Sequence, residues 1–188
     1  LFVAHQLRMQ AAWLQEALGE AERRALIDPL TQLWNRQGMR TMLPAMVRRA
    51  EREGLKVAFI YGDLDHFKRI NDEYGHAGGD QVLIQSGQRM VAAIRPSDMA
   101  LRLGGEELAV LALVADEQEL GVMAERLRLA FCRQPFELEV GALDVTISLG
   151  IAVAEPSEVG DDGHTLLERA DAGLYQAKRE GRNRVVRG

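Results

Sequence analysis

The chain has 188 residues, 47% of them hydrophobic and 27% charged, which suits one globular domain with an appended helix. Its 23 Lys and Arg stand against 28 Asp and Glu, a net charge of -5 that lacks the basic footprint of a DNA or RNA polymer binder. No apolar run reaches the roughly 18 residues of a membrane span, and the single cysteine, Cys132, can form no internal disulfide, which points to a reducing compartment.

The chain opens on Leu1-Phe2-Val3-Ala4, with no initiator Met and no signal-peptide pattern, and so reads as a segment of a longer protein. Residues 3–26 are expected to form one helix. Leu7, Leu14 and Ala21 recur every seven residues, with Ala11, Leu18 and Ala25 between them, as in a coiled-coil seam. The same stripe also suits an amphipathic helix lying on its own domain. It ends at Asp28-Pro29, because proline disfavours helix at the residue before it. The expected division is therefore a linker helix over 1–26 and a globular domain over 27–188.

A helix is expected over 37–53, stopped by Gly54. Residues 56–61 (KVAFIY) read as a buried strand. A short helix over 65–74 ends at Gly75, a glycine-rich loop follows, and a longer helix over 80–94 stops before Pro96. Strands over 99–103 and 108–114 flank Gly104-Gly105-Glu106-Glu107. A helix over 117–132, a long strand over 143–154 and a helix over 165–179 complete the order. This predicts an α+β fold: a mostly antiparallel central sheet flanked by helices, of ferredoxin-like or polymerase-palm type, with an N-terminal signalling helix.

Three patterns carry chemistry. In Tyr61-Gly62-Asp63-Leu64-Asp65 an apolar strand runs into two carboxylates, which share a face if the strand continues. Like charges there invite a hard divalent cation, held by a few carboxylates and substrate phosphates; an acidic turn with Asp65 as a helix N-cap is the structural alternative. Gly104 and Gly105 supply a tight hairpin that exposes a glutamate and leaves space for a ligand. The basic stretch Lys178-Arg179-Glu180-Gly181-Arg182 can hold phosphates or simply complement a helix dipole.

Together these segments resemble the GGDEF-domain diguanylate cyclases, over roughly residues 27–187. Asp28 to Arg36 is similar to their D-x-L-T-x-L-x-N-R segment, and Asp63 to Asp72 to D-x-D-x-F-K-x-x-N-D. Gly75-His76 with Gly79-Asp80 matches G-H-x-x-G-D. Arg102 to Glu107 matches R-x-G-G-[DE]-E, with Leu108 where the signature has Phe. Ser148 to Ala152, Ala170-Asp171, Tyr175, Ala177-Lys178 and Gly181-Arg182-Asn183 match the family's C-terminal segments.

The resemblance implies condensation of two GTP into cyclic di-GMP. Asp63, Glu106 and the Leu64 carbonyl would hold two Mg²⁺, with Mn²⁺ as a substitute. Glu106 would take the proton of the ribose 3′-hydroxyl, and Glu107 would support the site. Asn71 and Asp80 would read guanine, since a carboxylate accepts from its N1–H and amino donors. Lys68, Lys178 and Arg182 would bind phosphates beside Gly104 and Gly105. One GTP per domain calls for a homodimer, brought together through the N-terminal helix by an upstream sensory domain. Arg95-Pro96-Ser97-Asp98 matches the family's R-x-x-D product-inhibition motif, with Arg126 as an added cation. A cytoplasmic catalytic domain is expected, with room for a membrane anchor upstream. Competing readings are a weak or inactive domain acting as a cyclic di-GMP receptor, a cyclase of mixed purine selectivity, and a GTP-binding regulator of a fused partner. Leu108 is expected to face the core and to remove aromatic volume rather than chemistry.

Overall fold

The computed structural model describes residues 9, 13, 15, 19, 20 and 25–188 apart from 161. The described residues between 9 and 20, and residue 25, are helical and residue 26 is a turn; the rest of the helix expected over 3–26 lies outside the described residues. Helix α1 spans Arg36–Glu53: Asn35 caps it by accepting the Gly38 N–H, and Gly54 closes it in left-handed backbone (φ 65°). Strand β1 follows over Lys56–Leu64, then α2 over Phe67–Ala93. Strands β2 (Met99–Arg102) and β3 (Glu107–Val114) flank the glycine turn. Helix α3 spans Glu117–Cys132, the hairpin β4 (Phe136–Leu138) and β5 (Gly141–Leu143) follows, and β6 covers Ile147–Ala154. Helix α4 (His164–Arg179) and β7 (Val185–Arg187) end the described order.

Among the described residues β2-β3-β1-β6-β7 form one sheet. The first four strands, with α2 and α3, have the order and pairing of a ferredoxin-like fold. Pairings β1–β3, β1–β6 and β2–β3 are antiparallel, but β7 adds parallel to β6, so the sheet is mixed at that edge. Strand alternation sorts the core onto two faces. Ala58, Ile60, Leu64, Leu108 and Val110 pack under α2 and α3, while Val57, Phe59, Tyr61, Ala109 and Leu111 pack under α1 and α4.

Three expectations are corrected. The segment from His76 to Asp80 is helix rather than loop; only Gly75 leaves helical geometry (φ 71°, ψ 173°), so Asp80 lies inside α2. The strand predicted over 143–154 is divided: its first part is β5, paired with β4 in a separate two-stranded sheet, and its second is β6, paired with β1. Asp65 does not cap α2: β1 ends at Leu64, His66 turns left-handed (φ 59°), and the buried Asp65 carboxylate is taken by Thr146 and by Ser148, the residue opposite Asp63 on β6. Among the described residues no helix is long and apolar enough to cross a membrane.

Candidate active site

The site is built where β1 ends and β3 begins. Asp63 lies opposite Glu107 on β3, so alternation sends both, with Tyr61, to the face covered by α4. On the last turn of α4, Lys178 places its Nζ 2.7 Å from Asp63 Oδ1. Burial pushes the Asp63 carboxyl up, Lys178 opposes that rise, and the nearby Glu106 and Glu107 add to it. Asp63, Glu107, Glu168, Asp171, Tyr175 and Lys178 line a cavity of about 460 Å³.

Glu107 is held through Oε1. Tyr61 Oη donates to Oε1 at 2.8 Å. Oε2 lies over Gly104, within 2.2 Å of where a Cβ would sit. The Tyr61 phenol is pushed upward by burial and then by Glu107, which keeps it a donor. Glu106 enters through its backbone, its carbonyl accepting the Leu64 N–H at 3.4 Å.

Arg102 fixes the turn. Its Nε and Nη2 donate to the Gly104 and Gly105 carbonyls at 2.9–3.2 Å, and its Nη1 reaches both Asp28 oxygens at 3.1 and 3.2 Å. Asp28 in turn accepts the Thr31 amide (2.8 Å) and hydroxyl (2.7 Å). Neither Tyr61 nor Arg102 was singled out from the sequence. A tyrosine at an odd strand position beside Asp63 was the available signal for the first, and a cation entering the glycine turn for the second.

On α2, Asn71 and Asp80 stand on either side of the Gly75 break. The Asn71 carboxamide lies against Gly79, where a Cβ would meet its Oδ1 at 2.0 Å, so the backbone next to Asp80 is open to it. Lys68 is exposed on the first turn of α2, and Arg182 is exposed beyond α4 in left-handed backbone (φ 62°).

A second cluster sits at the other end of β2. The Arg95 amide donates to Asp98 Oδ2 at 2.9 Å, and the Arg95 guanidinium pairs with Glu119 at 2.5 Å. Arg126 Nε donates to the Ala93 carbonyl at 2.7 Å. Burial pushes the Asp98 carboxyl up, and the charges of Arg95 and Arg126 oppose this. Arg126 also lines a groove of about 1000 Å³ between α2 and α3 with Arg89, Val122, Glu125 and Leu129. The structure thus brings Arg95, Asp98 and Arg126 together and keeps them apart from Asp63.

Comparison with known proteins decides the family. The sequence model described as "Diguanylate cyclase, GGDEF domain" matches residues 25–184. The chain belongs to the GGDEF family. It is 41% identical over 169 residues to the diguanylate cyclase DgcP of Pseudomonas aeruginosa, covering 89% of this chain and 25% of that one. It is 39% identical over 176 residues to the response regulator PleD of Caulobacter vibrioides, covering 93% of this chain and 38% of the relative. The chain therefore spans between a quarter and two-fifths of the length of these curated relatives. A crystal structure of the coiled coil and GGDEF domain of DgcB from Caulobacter crescentus, in complex with c-di-GMP, superposes with a TM-score of 0.84 at 32% identity, over 95% of this chain and 93% of that one.

The donor set of this GGDEF domain fits a hard divalent cation. Asp63, Glu106 and Glu107 offer carboxylate oxygens, the charges of Glu106 and Glu107 push the Asp63 carboxyl up, and the Lys178 ammonium already stands as a cation against Asp63. Among the described residues no three His, Cys, Asp or Glu groups form a ready cage. A cation such as Mg²⁺ binds through one or two carboxylates and completes its shell with water and phosphate oxygens.

Proposed function

We propose that this domain condenses two GTP into cyclic di-GMP with release of two pyrophosphates. The observation that carries the reading is the convergence of Asp63, Glu106 and Glu107 at the facing ends of β1 and β3, with Lys178 on Asp63, in a chain of the GGDEF family. The 3′-oxygen of one GTP bonds to the α-phosphorus of the other, the bond to the α–β bridging oxygen breaks, and pyrophosphate leaves. Repeating the step in the opposite sense closes the ring. Glu106 takes the 3′-hydroxyl proton. Asp63, Glu106 and the Leu64 carbonyl would hold two Mg²⁺, with Mn²⁺ able to replace them; bound there, the ions neutralise charge on the phosphates.

Lys178 then exchanges its partner from Asp63 to phosphate, joined by Arg182 and Lys68. Glu107, held by Tyr61, keeps the turn at Gly104 and Gly105 in shape for the triphosphate. Asn71 and Asp80 read the guanine edge; adenine would leave their polar groups unpaired, which is a strong basis for rejection. Because each domain holds one GTP, an isologous pair of domains supplies the geometry. Residues 1–26 are assigned to a linker helix that sets the effective concentration of the pair on behalf of an upstream sensory domain. Arg95, Asp98 and Arg126 form the product-inhibition site.

A second reading has one observation in its favour: the cluster of Arg95, Asp98 and Arg126 is separate from Asp63 and could bind cyclic di-GMP in a domain that makes none. Pyrophosphate release from GTP and Mg²⁺, followed over a range of protein concentrations, separates the two. The cyclase reading predicts release that rises more steeply than linearly with protein and falls as cyclic di-GMP is added. No release at any concentration, with cyclic di-GMP still bound, supports the receptor.

A further inference from the structure

Asp65 is the second acid of the D-x-D pair, and the chemistry above gives it no task. It is 5% exposed and both oxygens are taken. Ser148 Oγ donates to Oδ1 at 2.6 Å; Thr146 Oγ1 at 2.6 Å and the Asn183 amide at 3.0 Å donate to Oδ2. The last of these joins the end of β1 to a segment 118 residues away in sequence.

That segment is unusual in its backbone. Arg182 (φ 62°) and Asn183 (φ 47°) are consecutive residues in the left-handed region. Side chains other than glycine rarely adopt it, and such conformations persist only where the surroundings over-determine them. Here the surroundings are named. Asp65 holds the Asn183 amide from within. Arg128 Nη1 holds Asn183 Oδ1 from outside at 2.7 Å, itself braced on Glu125 through two contacts of 2.6 and 2.9 Å. The Arg182 amide closes on the Ala177 carbonyl at 3.0 Å, and the Arg184 carbonyl accepts from Leu149 at 2.9 Å.

We infer that Asp65 is a positioning residue for triphosphate recognition: it fixes the turn at Arg182 and Asn183 so that Arg182 stands beyond the end of α4, in register with Lys178. Arg128 is the outer half of the same clamp. The inference rests on the phosphate role proposed for Arg182. It also sets Asp65 apart from Asp63 in partners: Asp63 meets the Lys178 ammonium, whereas Asp65 accepts from Thr146, Ser148 and the Asn183 amide.

The chemistry of the contacts makes a specific demand on substitutions. Ser148 Oγ can accept as readily as it donates. An asparagine at 65 can therefore point its nitrogen at Ser148 and keep its oxygen for Thr146 and Asn183. An alanine cannot. A metal ligand, by contrast, would be weakened in both variants, since the asparagine loses the carboxylate charge.

The test measures binding of a non-hydrolysable GTP analogue, with Mg²⁺, to the parent, Asp65→Ala, Asp65→Asn, Arg182→Ala and the Asp65→Ala/Arg182→Ala pair, beside hydrogen exchange at the Asn183 amide of the parent. Asp65→Ala and Arg182→Ala are each expected to weaken binding about tenfold, as loss of an orienting partner does. The pair should be no weaker than either alone, Asp65→Asn should stay close to the parent, and the Asn183 amide should be protected. If Asp65→Ala fails to fold, Arg128→Met releases the same turn from outside and should weaken binding in the parent but not in the Arg182→Ala background. Asp65→Asn as weak as Asp65→Ala, additive effects, or an Asn183 amide exchanging like free peptide would each overturn the inference. Parental affinity in Asp65→Ala beside a weakened Arg182→Ala would refute it alone. Parental affinity in Arg182→Ala would refute the phosphate role of Arg182 and this inference with it.

Discussion

Arg102 and Asp28 meet at 3.1 Å across 74 residues of sequence, and the same guanidinium holds the carbonyls of Gly104 and Gly105. One planar fork thus serves four acceptors, which a lysine ammonium cannot match in number or direction. Arg102→Lys is expected to lower the thermal midpoint by an amount equivalent to about 1–3 kcal/mol, and to lower kcat more than the loss of stability explains. Calorimetry and turnover on the same preparation check both.

The partner makes a prediction about acid. Burial would raise the Asp28 carboxyl, but the Thr31 hydroxyl and amide and then Arg102 outweigh it and hold the group below its ordinary 3.8. A depressed folded value means the contribution is fully present above the unfolded value and is lost as pH falls through the folded one. Denaturation midpoints taken below pH 4.5 should therefore fall less steeply for Asp28→Asn than for the parent.

Tyr61 donates its hydroxyl to Glu107, while its ring packs against Phe59 with centroids 6.1 Å apart. Tyr61→Phe keeps the ring and frees the carboxylate. The expected outcome is a stability loss of only about 1 kcal/mol and a several-fold fall in turnover, seen by denaturant titration and initial rates. Full activity would show that Glu107 needs no such anchor.

Leu108 stands where the family signature has an aromatic residue, and it is fully buried in the cluster beneath α2 and α3. Installing the larger ring overfills a closed site, so Leu108→Phe should cost about 1–3 kcal/mol of stability without raising kcat. A stabilised and faster variant would mean that the core here is underpacked.

Ser86 Oγ is a buried side-chain polar atom without a partner among the described residues. Because a buried unsatisfied hydroxyl costs about 1–3 kcal/mol, Ser86→Ala is expected to raise the thermal midpoint and leave turnover unchanged.

The strands and the carboxylate at residue 63 were legible because they depend on local pattern: an apolar run ending in an acid, and two glycines between runs. What the pattern did not carry is long-range. Asp65 looked like a twin of Asp63 until Thr146, Ser148 and Asn183 drew it into the core. The expected loop over 75–80 is helical apart from Gly75, and a Cβ at Gly78 or Gly79 would meet Tyr74 or Asn71, so these glycines answer close packing rather than a turn. The parallel edge strand β7 has three residues and no alternation long enough to read. Arg102 gave no sign of serving Asp28, since a cation at a hairpin is ordinary until its partner is placed.

The most direct test of the central claim is the identity of the product. The purified domain is incubated with GTP and Mg²⁺, beside Glu106→Gln, and the nucleotides are separated by chromatography. Cyclic di-GMP from the parent and none from the Glu106 variant is the predicted result. Unchanged GTP at every protein concentration, or the same product from both proteins, would contradict it.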